Sequence, residues 1–377
     1  MKYLLPITLS ILFGSVLSST SPGDPFNCTT LPPYVFQPIT LSNTNQQLSI
    51  KFIPYGGTVT NIFVKKSDGT IYDVVLGFDD PTAYCNFPQH PYFGALIGRV
   101  ANRISDHSFV LNNQLYYTSL NENNDTLHGG VVGFDRATWA VELLNQSTAQ
   151  LTYTSMDGEM GFPGTVDITV TYRIQDDNSW TIMYSAYAHD DTAIGLTQHT
   201  YWNLNGNVST ITNHILSMPN ATTFLEVDSQ LIPTGNINNV QNYPWMDFTQ
   251  PKAVGKDIAN GTVTPQGGYD NAWIFTPWSS TNPMVTLQAT VYSPVSGIQM
   301  NIYTDQPSLQ VYSGNFLNGT IPAKADLGGG YYPHFGALAL EAQHYPDSVH
   351  HQDTWPNVIL RAGQTYSQTT QYQFTFP

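Results

Sequence analysis

From about residue 47 onward the chain is a succession of short segments rich in Val, Ile, Thr, Tyr and Phe, each closed by Gly, Asn, Asp or Pro. QQLSIKFIPYG, TVDITVTYRI, WTIMYSAYA, GIQMNIYT and the terminal TYSQTTQYQFTF are typical. Residues branched at Cβ or carrying a ring pack well on a pleated, half-buried surface, and the closing residues are those that turns need. No stretch keeps apolar residues at helical spacing for four turns. A chain of this kind is expected to be mostly β, most simply a large sandwich of antiparallel sheets with functional loops on one face. Within SFVLNNQLYYTS a hairpin is expected to turn at Asn112-Asn113, because Asn tolerates the left-handed backbone of tight turns. No Pro-Ser or Gly-Ser linker follows residue 25 and no repeat of fixed period occurs, so residues 20–377 are expected to form one domain.

The first residues, MKYLLPITLSILFGSVLSS, have one early lysine, an apolar stretch and small residues around Ser18. That run is too short and too interrupted to span a bilayer, and residues 1–19 read as a secretory signal peptide, which makes the expected location extracellular. Seven Asn-x-Ser/Thr sequons follow, at Asn27, Asn124, Asn145, Asn207, Asn220, Asn260 and Asn318, each a candidate glycan site in an exported chain; an Asn- and Thr-rich composition also generates sequons by chance. Cys28 and Cys85 are the two cysteines, and an oxidising compartment lets them pair if the fold brings them together. With no CxxC pair and no HExxH spacing, a zinc or metalloprotease site has no support. Charged residues are 10% of the chain and the formal net charge is −15. This balance disfavours nucleic acid, phosphorylated ligands and anionic membranes as partners and suits a neutral, hydroxyl-rich small molecule.

Glu341 ends the apolar run Ala337-Leu338-Ala339-Leu340 and opens a polar, turn-rich segment. A carboxylate placed so is expected at the rim or floor of a cleft, where a general base belongs. Four other segments set capable residues beside Gly or aromatic neighbours. GRVANRI carries Arg99, Asn102 and Arg103, and a guanidinium fork with an amide beside it can grip several sugar oxygens. TLHGG places His128 before two glycines; QHTYWNL places His199 beside Tyr201, Trp202 and Asn203; GGYDN places Asp270 after a glycine pair. Each has a plain structural alternative: an arginine bonded to loop carbonyls, a turn histidine, a core histidine satisfied by a carbonyl, a turn aspartate.

Taken in order, GRVANRI, LHGG, His-x-Tyr-Trp-Asn-Leu, the Gly-x-Asp loop and Glu-x-Gln-x-x-Pro-Asp resemble the aldose 1-epimerases, also called galactose mutarotases, over about residues 94–366. The resemblance implies a β-supersandwich, no cofactor, and interconversion of the α and β anomers of free aldohexoses such as galactose and glucose, by a monomer or weak dimer. Matched residue by residue, it implies Glu341 as general base and His199 as general acid. Asn102, Arg103, His128 and Asp270 match positions that hold the sugar's oxygens, and Gln310 matches a more weakly marked binding position. Family members often have His after the loop aspartate, where this chain has Asn271, and its exported character differs from that of the cytoplasmic members.

The chemistry needs these residue types. Opening a cyclic hemiacetal takes a base on the C1 hydroxyl and an acid on the ring oxygen, and neither a metal nor a redox group. A free Glu titrates near ~4.3 and a free His near ~6.5, so an ionised Glu341 beside a protonated His199 is the expected pairing at mildly acidic to neutral pH. Two other readings stay open at this point. A glycoside hydrolase would use Glu341 and Asp270 as its carboxylate pair, and a sugar-binding module would use the same contacts without turnover.

Overall fold

The computed structural model describes residues 28–87, 91–261, 267–281 and 283–377; residues 1–19 and the sequon at Asn27 lie outside these. Among the described residues two large antiparallel sheets dominate. A nine-stranded sheet runs in the order Ala140–Asn145, Thr148–Ser155, Val166–Ile174, Ser179–Ala188, Thr365–Thr375, Gln299–Thr304, Thr286–Tyr292, Ile215–Ser217 and Lys252–Ala253. A six-stranded sheet runs Tyr201–Trp202, Leu338–Gln343, Ser308–Tyr312, Asp270–Ile274, Thr223–Val227 and Pro233–Asn239. The described helices are single turns, so the expected mostly-β sandwich is the observed one. The hairpin also forms where expected: Ser108–Leu111 pairs with Gln114–Tyr117, and Asn112 and Asn113 have φ of 53° and 60°, the left-handed pair that matches the twist of the flanking strands.

The two sheets read differently because of what covers them. In the nine-stranded sheet, Val166, Ile168, Val170, Tyr172 and Ile174 are buried in alternation with more open neighbours, the period of a half-covered strand. In the six-stranded sheet, Leu338–Gln343, Ser308–Tyr312 and Asp270–Ile274 are buried at every position. Leu338, Leu340 and Ala342 enter the main apolar core, together with Leu309, Val311 and Trp273. The intervening residues, including Glu341, Gln310 and Asp270, therefore lie on the opposite face, away from that core. This corrects two sequence expectations. The strand runs two residues past Glu341, which sits within it, and Asp270 opens a strand and is not a loop residue.

Two further contacts tie the edges down. Cys28 and Cys85 form a disulfide with Cα atoms 5.9 Å apart. Lys324 donates to Asp73 Oδ2 at 2.5 Å and to the Thr60 carbonyl at 2.9 Å, with both charged side chains 1% exposed. No described helix is long and apolar enough to cross a membrane.

Candidate active site

A cavity of about 390 Å³ opens over the six-stranded sheet, with Glu341, Asp270 and Tyr312 in its floor; small-molecule sites run roughly 300–1,000 Å³. Register builds that floor. Glu341 is opposite Gln310, Gln310 is opposite Ala272, and Asp270 is opposite Tyr312, so three adjacent strands present polar side chains from one face. His199 lies between the short strands Thr197–Gln198 and Tyr201–Trp202. Its ring stacks on Tyr201 with centroids 5.0 Å apart and meets His128 edge to face at 5.0 Å, while Tyr92 flanks both rings. The result is an aromatic wall beside buried acceptors, which suits a pyranose with its apolar faces and polar rim.

The wall that carries His128 comes from segments far apart in sequence. Arg103–Ile104 pairs with Thr126–Leu127, which brings GRVANRI against LHGG. The His128 amide donates to the Asn102 carbonyl at 3.0 Å, and the Asn102 amide donates to His128 Nδ1 at 3.2 Å. Asn102 and His128 both hold left-handed backbone, with φ of 64° and 51°. A Cβ on Gly129 would strike the Gly98 carbonyl oxygen, so the glycine after His128 allows the close approach of the two motifs.

The bond to Nδ1 also decides the ring's chemistry. An imidazole whose Nδ1 accepts a hydrogen bond carries its proton on Nε2 when neutral, and Nε2 is then a donor. His128, His199 and Glu341 have ligand atoms within 4.8 Å of one another, a spacing that could hold a metal ion. With Nδ1 taken by an amide and Nε2 protonated, however, His128 is suited to donate to a sugar hydroxyl and unsuited to ligate.

The two arginines of GRVANRI part company. Arg99 is 2% exposed and donates to the carbonyls of Pro163 and Gly164 at 2.8 and 2.6 Å and to Ser155 Oγ at 2.5 Å. It is the arginine bonded to loop carbonyls, and burial pushes its pKa down to about 10. Arg103 faces the cavity, with Nη2 donating to Glu122 Oε1 at 3.0 Å and Nε 2.9 Å from Oε2. Burial opposes its charge, but Asp270 and Glu122 more than offset this and hold its pKa above the usual value.

Glu341 is 2% exposed, and burial, reinforced by the nearby Asp270, raises its pKa well above the usual carboxylate range while Arg103 works against the rise. Asp270 is likewise raised by burial, with Arg103 and a hydrogen bond from Gln310 Nε2 at 2.7 Å restraining it. The sequence-based expectation of an ordinary Glu341 is thereby corrected: nothing along the chain reports how completely the fold removes water from that position. Glu341 Oε1 stands 3.6 Å from His199 Nε2, too long for a hydrogen bond. Glu341 Oε2 and Gln310 Oε1 are buried acceptors without a protein donor.

Of the residues singled out in the sequence, Glu341, His199, Asn102, Arg103, His128 and Asp270 all line the one cavity. Gln310 does not line it and acts on it through Asp270. Asn271 does not line it either; its amide donates to the Leu225 carbonyl at 3.4 Å, so the departure from histidine lies outside the cavity wall. Glu122, Tyr92 and Tyr312 line the cavity too, and sequence reasoning missed them. A buried arginine in a chain with few cations demands a carboxylate, and that was the available signal for Glu122. Glu122→Gln is expected to lower kcat/KM for an aldose about tenfold, chiefly through KM, because a charge-assisted hydrogen bond is worth ~1.5 kcal/mol. Unchanged KM in polarimetric assays of that variant would show that the pair does not position the sugar.

The aldose 1-epimerase family model matches residues 37–373. Galactose mutarotase from Bos taurus is 37% identical over 332 residues, covering 88% of this chain and 92% of its own. Aldose 1-epimerase from Haemophilus influenzae is 36% identical over 355 residues, covering 93% and 98%. Among solved structures, an aldose epimerase homologue from C. elegans superposes with a TM-score of 0.79 at 28% identity, over 90% of this chain and 99% of that one. The fold and site thus define a sugar isomerase. The chain belongs to the aldose 1-epimerase family.

Proposed function

We propose that the protein interconverts the α and β anomers of free aldohexoses, galactose and glucose among them, with Glu341 as base and His199 as acid. The observation that carries this reading is the 3.6 Å separation of Glu341 Oε1 and His199 Nε2 at the floor of a cavity whose other walls are polar and aromatic. That spacing lets the two groups reach the two oxygens of one carbon. Glu341 removes the proton from the C1 hydroxyl, the O–H electrons form the C1=O bond, and the C1–O5 electrons leave to O5, which takes a proton from His199. Rotation about C1–C2 presents the other face of the aldehyde, and closure reverses each transfer. Arg103, His128, Asn102 and Asp270 hold the remaining oxygens, so that only the C1 end rotates.

The raised pKa of Glu341 gives this reading a pH signature. A base works only when ionised, and its folded-state pKa lies above the usual range, so activity is gained as pH rises through that higher value and lost below it. The acid limb of kcat/KM is therefore expected above the ordinary carboxylate region of ~4–5. A limb at the ordinary position would show that another group titrates. The direct test is polarimetry of freshly dissolved α-D-galactose and α-D-glucose, in which the protein speeds the decay of optical rotation.

We propose further that the protein acts outside the cell as an N-glycosylated, signal-directed protein. The Cys28–Cys85 disulfide supports this, since such bonds persist in oxidising compartments. So do the six sequon asparagines within the described residues, Asn124, Asn145, Asn207, Asn220, Asn260 and Asn318, which are all exposed. Residues such as Asn102, Asn203, Asn205 and Asn315, outside sequons, are buried.

A further inference from the structure

We infer that Asn318 carries an N-linked glycan that stands at the mouth of the catalytic cavity and restricts it to free monosaccharides. The inference rests on the exported reading above and adds a substrate limit to it. Of the described sequon asparagines, only Asn318 lines the cavity that holds Glu341 and His199. It belongs to the segment that follows strand Ser308–Tyr312 and supplies Phe316, Leu317 and Ile321 to the same rim.

Local geometry makes this sequon a good acceptor. Asn318 Oδ1 accepts from the Thr320 amide at 3.2 Å and from Thr320 Oγ1 at 2.5 Å, a compact turn. Asn318, Gly319 and Thr320 are all exposed. A Cβ built on Gly319 would meet nothing within 4 Å, so the tip stands clear of the rest of the protein and open to a transferase. Asn124 is the sequon asparagine nearest to His128 in sequence. Asn124 is exposed but does not line the cavity, and its Nδ2 donates to Asp106 Oδ1 at 2.8 Å. A glycan at Asn318, and not one at Asn124, is therefore placed to crowd the cleft.

The modification is the usual one of the secretory route. Asn318 Nδ2 attacks C1 of an oligosaccharide carried on a polyprenyl pyrophosphate; the N–C1 bond forms, the C1–O bond to the pyrophosphate breaks, and the amide loses one proton. The consequence follows from space. Glu341 and His199 must lie at C1 of the reacting ring, so any second ring linked to that sugar has to leave through the mouth. A glycan rooted in the rim obstructs that exit and leaves entry of a single ring open.

The test uses the full chain secreted from a glycosylating eukaryotic host. Glycopeptide mass spectrometry is expected to find Asn318 occupied. The variant Thr320→Ala removes the sequon and leaves Asn318 in place. Its kcat/KM for galactose and glucose is expected to stay within about twofold of the parent, as for most surface substitutions. Its kcat/KM for the reducing end of lactose or maltose is expected to rise at least about fivefold, because a steric obstacle to the larger substrate has gone. Glycans at other sequons with Asn318 bare would overturn the inference alone. So would an occupied Asn318 with the same disaccharide-to-monosaccharide ratio in both forms. Absence of glycan at every sequon would overturn the exported reading together with it. Failure of both forms to accelerate any sugar would overturn the anomer-exchange reading and the screening role, while the mass spectrum would still report occupancy.

Discussion

Glu341→Gln is expected to lower kcat/KM for anomer exchange by about 10²- to 10⁴-fold, the usual contribution of a positioned acid or base. The amide keeps the shape of the carboxylate but cannot take the proton of the C1 hydroxyl. Folding should not suffer. Glu341 is 2% exposed, its Oε2 has no protein donor, and burial already disfavours its charge, so a neutral amide relieves a strain on the native state. Sugar binding should persist, since Arg103, His128 and Asp270 remain in the cavity. The variant should therefore melt at or slightly above the parent temperature, bind galactose measurably and leave its optical rotation to decay at the spontaneous rate. Near-normal exchange in a well-folded variant would remove Glu341 from the mechanism.

Lys324→Met is expected to destabilise the protein by about 3–5 kcal/mol, the range for breaking a buried ion pair from one side. Asp73 would keep its position, with Oδ1 accepting the Ile62 amide at 3.2 Å and Oδ2 accepting Asn61 Nδ2 at 2.8 Å, but it would lose its buried cation partner. Lys324 itself is under tension, because burial lowers its pKa and the charge of Asp73 resists the change. Replacing both residues, as Asp73→Asn with Lys324→Met, should cost clearly less than the two single changes added together, since no unpaired charge is then buried. Denaturant titration of the three variants reads the difference, and a single-variant loss under ~1 kcal/mol would place the pair among those that contribute little. The pair also bears on function. Lys324 lies three residues after Ile321, so it anchors the rim of the cavity to strand Ile71–Asp73, the edge of a separate four-stranded sheet.

The strands that sequence made legible are those whose pattern is local. Val166–Ile174 alternates because one face is covered, and the Asn112-Asn113 turn was readable because left-handed backbone has a side-chain preference. Sequence reading placed no strands over Ile215–Ser217, Thr223–Val227 or Pro233–Asn239. The last of these, PTGNINN, is mostly polar and open to solvent, and it is a strand because Thr223–Val227 supplies its hydrogen bonds. Asp270 was misplaced in a loop for a related reason: the glycine pair before it signals a turn, whereas its pairing with Tyr312 comes from a distant strand.

Residue types and their order along the chain determined by themselves the mostly-β class, the family resemblance and the roster of Glu341, His199, Asn102, Arg103, His128 and Asp270. Periodicity, turn preference and motif content are properties of neighbours in sequence. Only the tertiary structure decided that Arg103 and not Arg99 faces the cavity, that Glu122 answers its charge, and that Glu341 is buried deeply enough for its pKa to rise. It also decided that Asn318 and not Asn124 stands on the rim. Each of these depends on which distant segments exclude water from a given atom. Desolvation and ion pairing act over a few ångströms in space, whatever the separation along the chain.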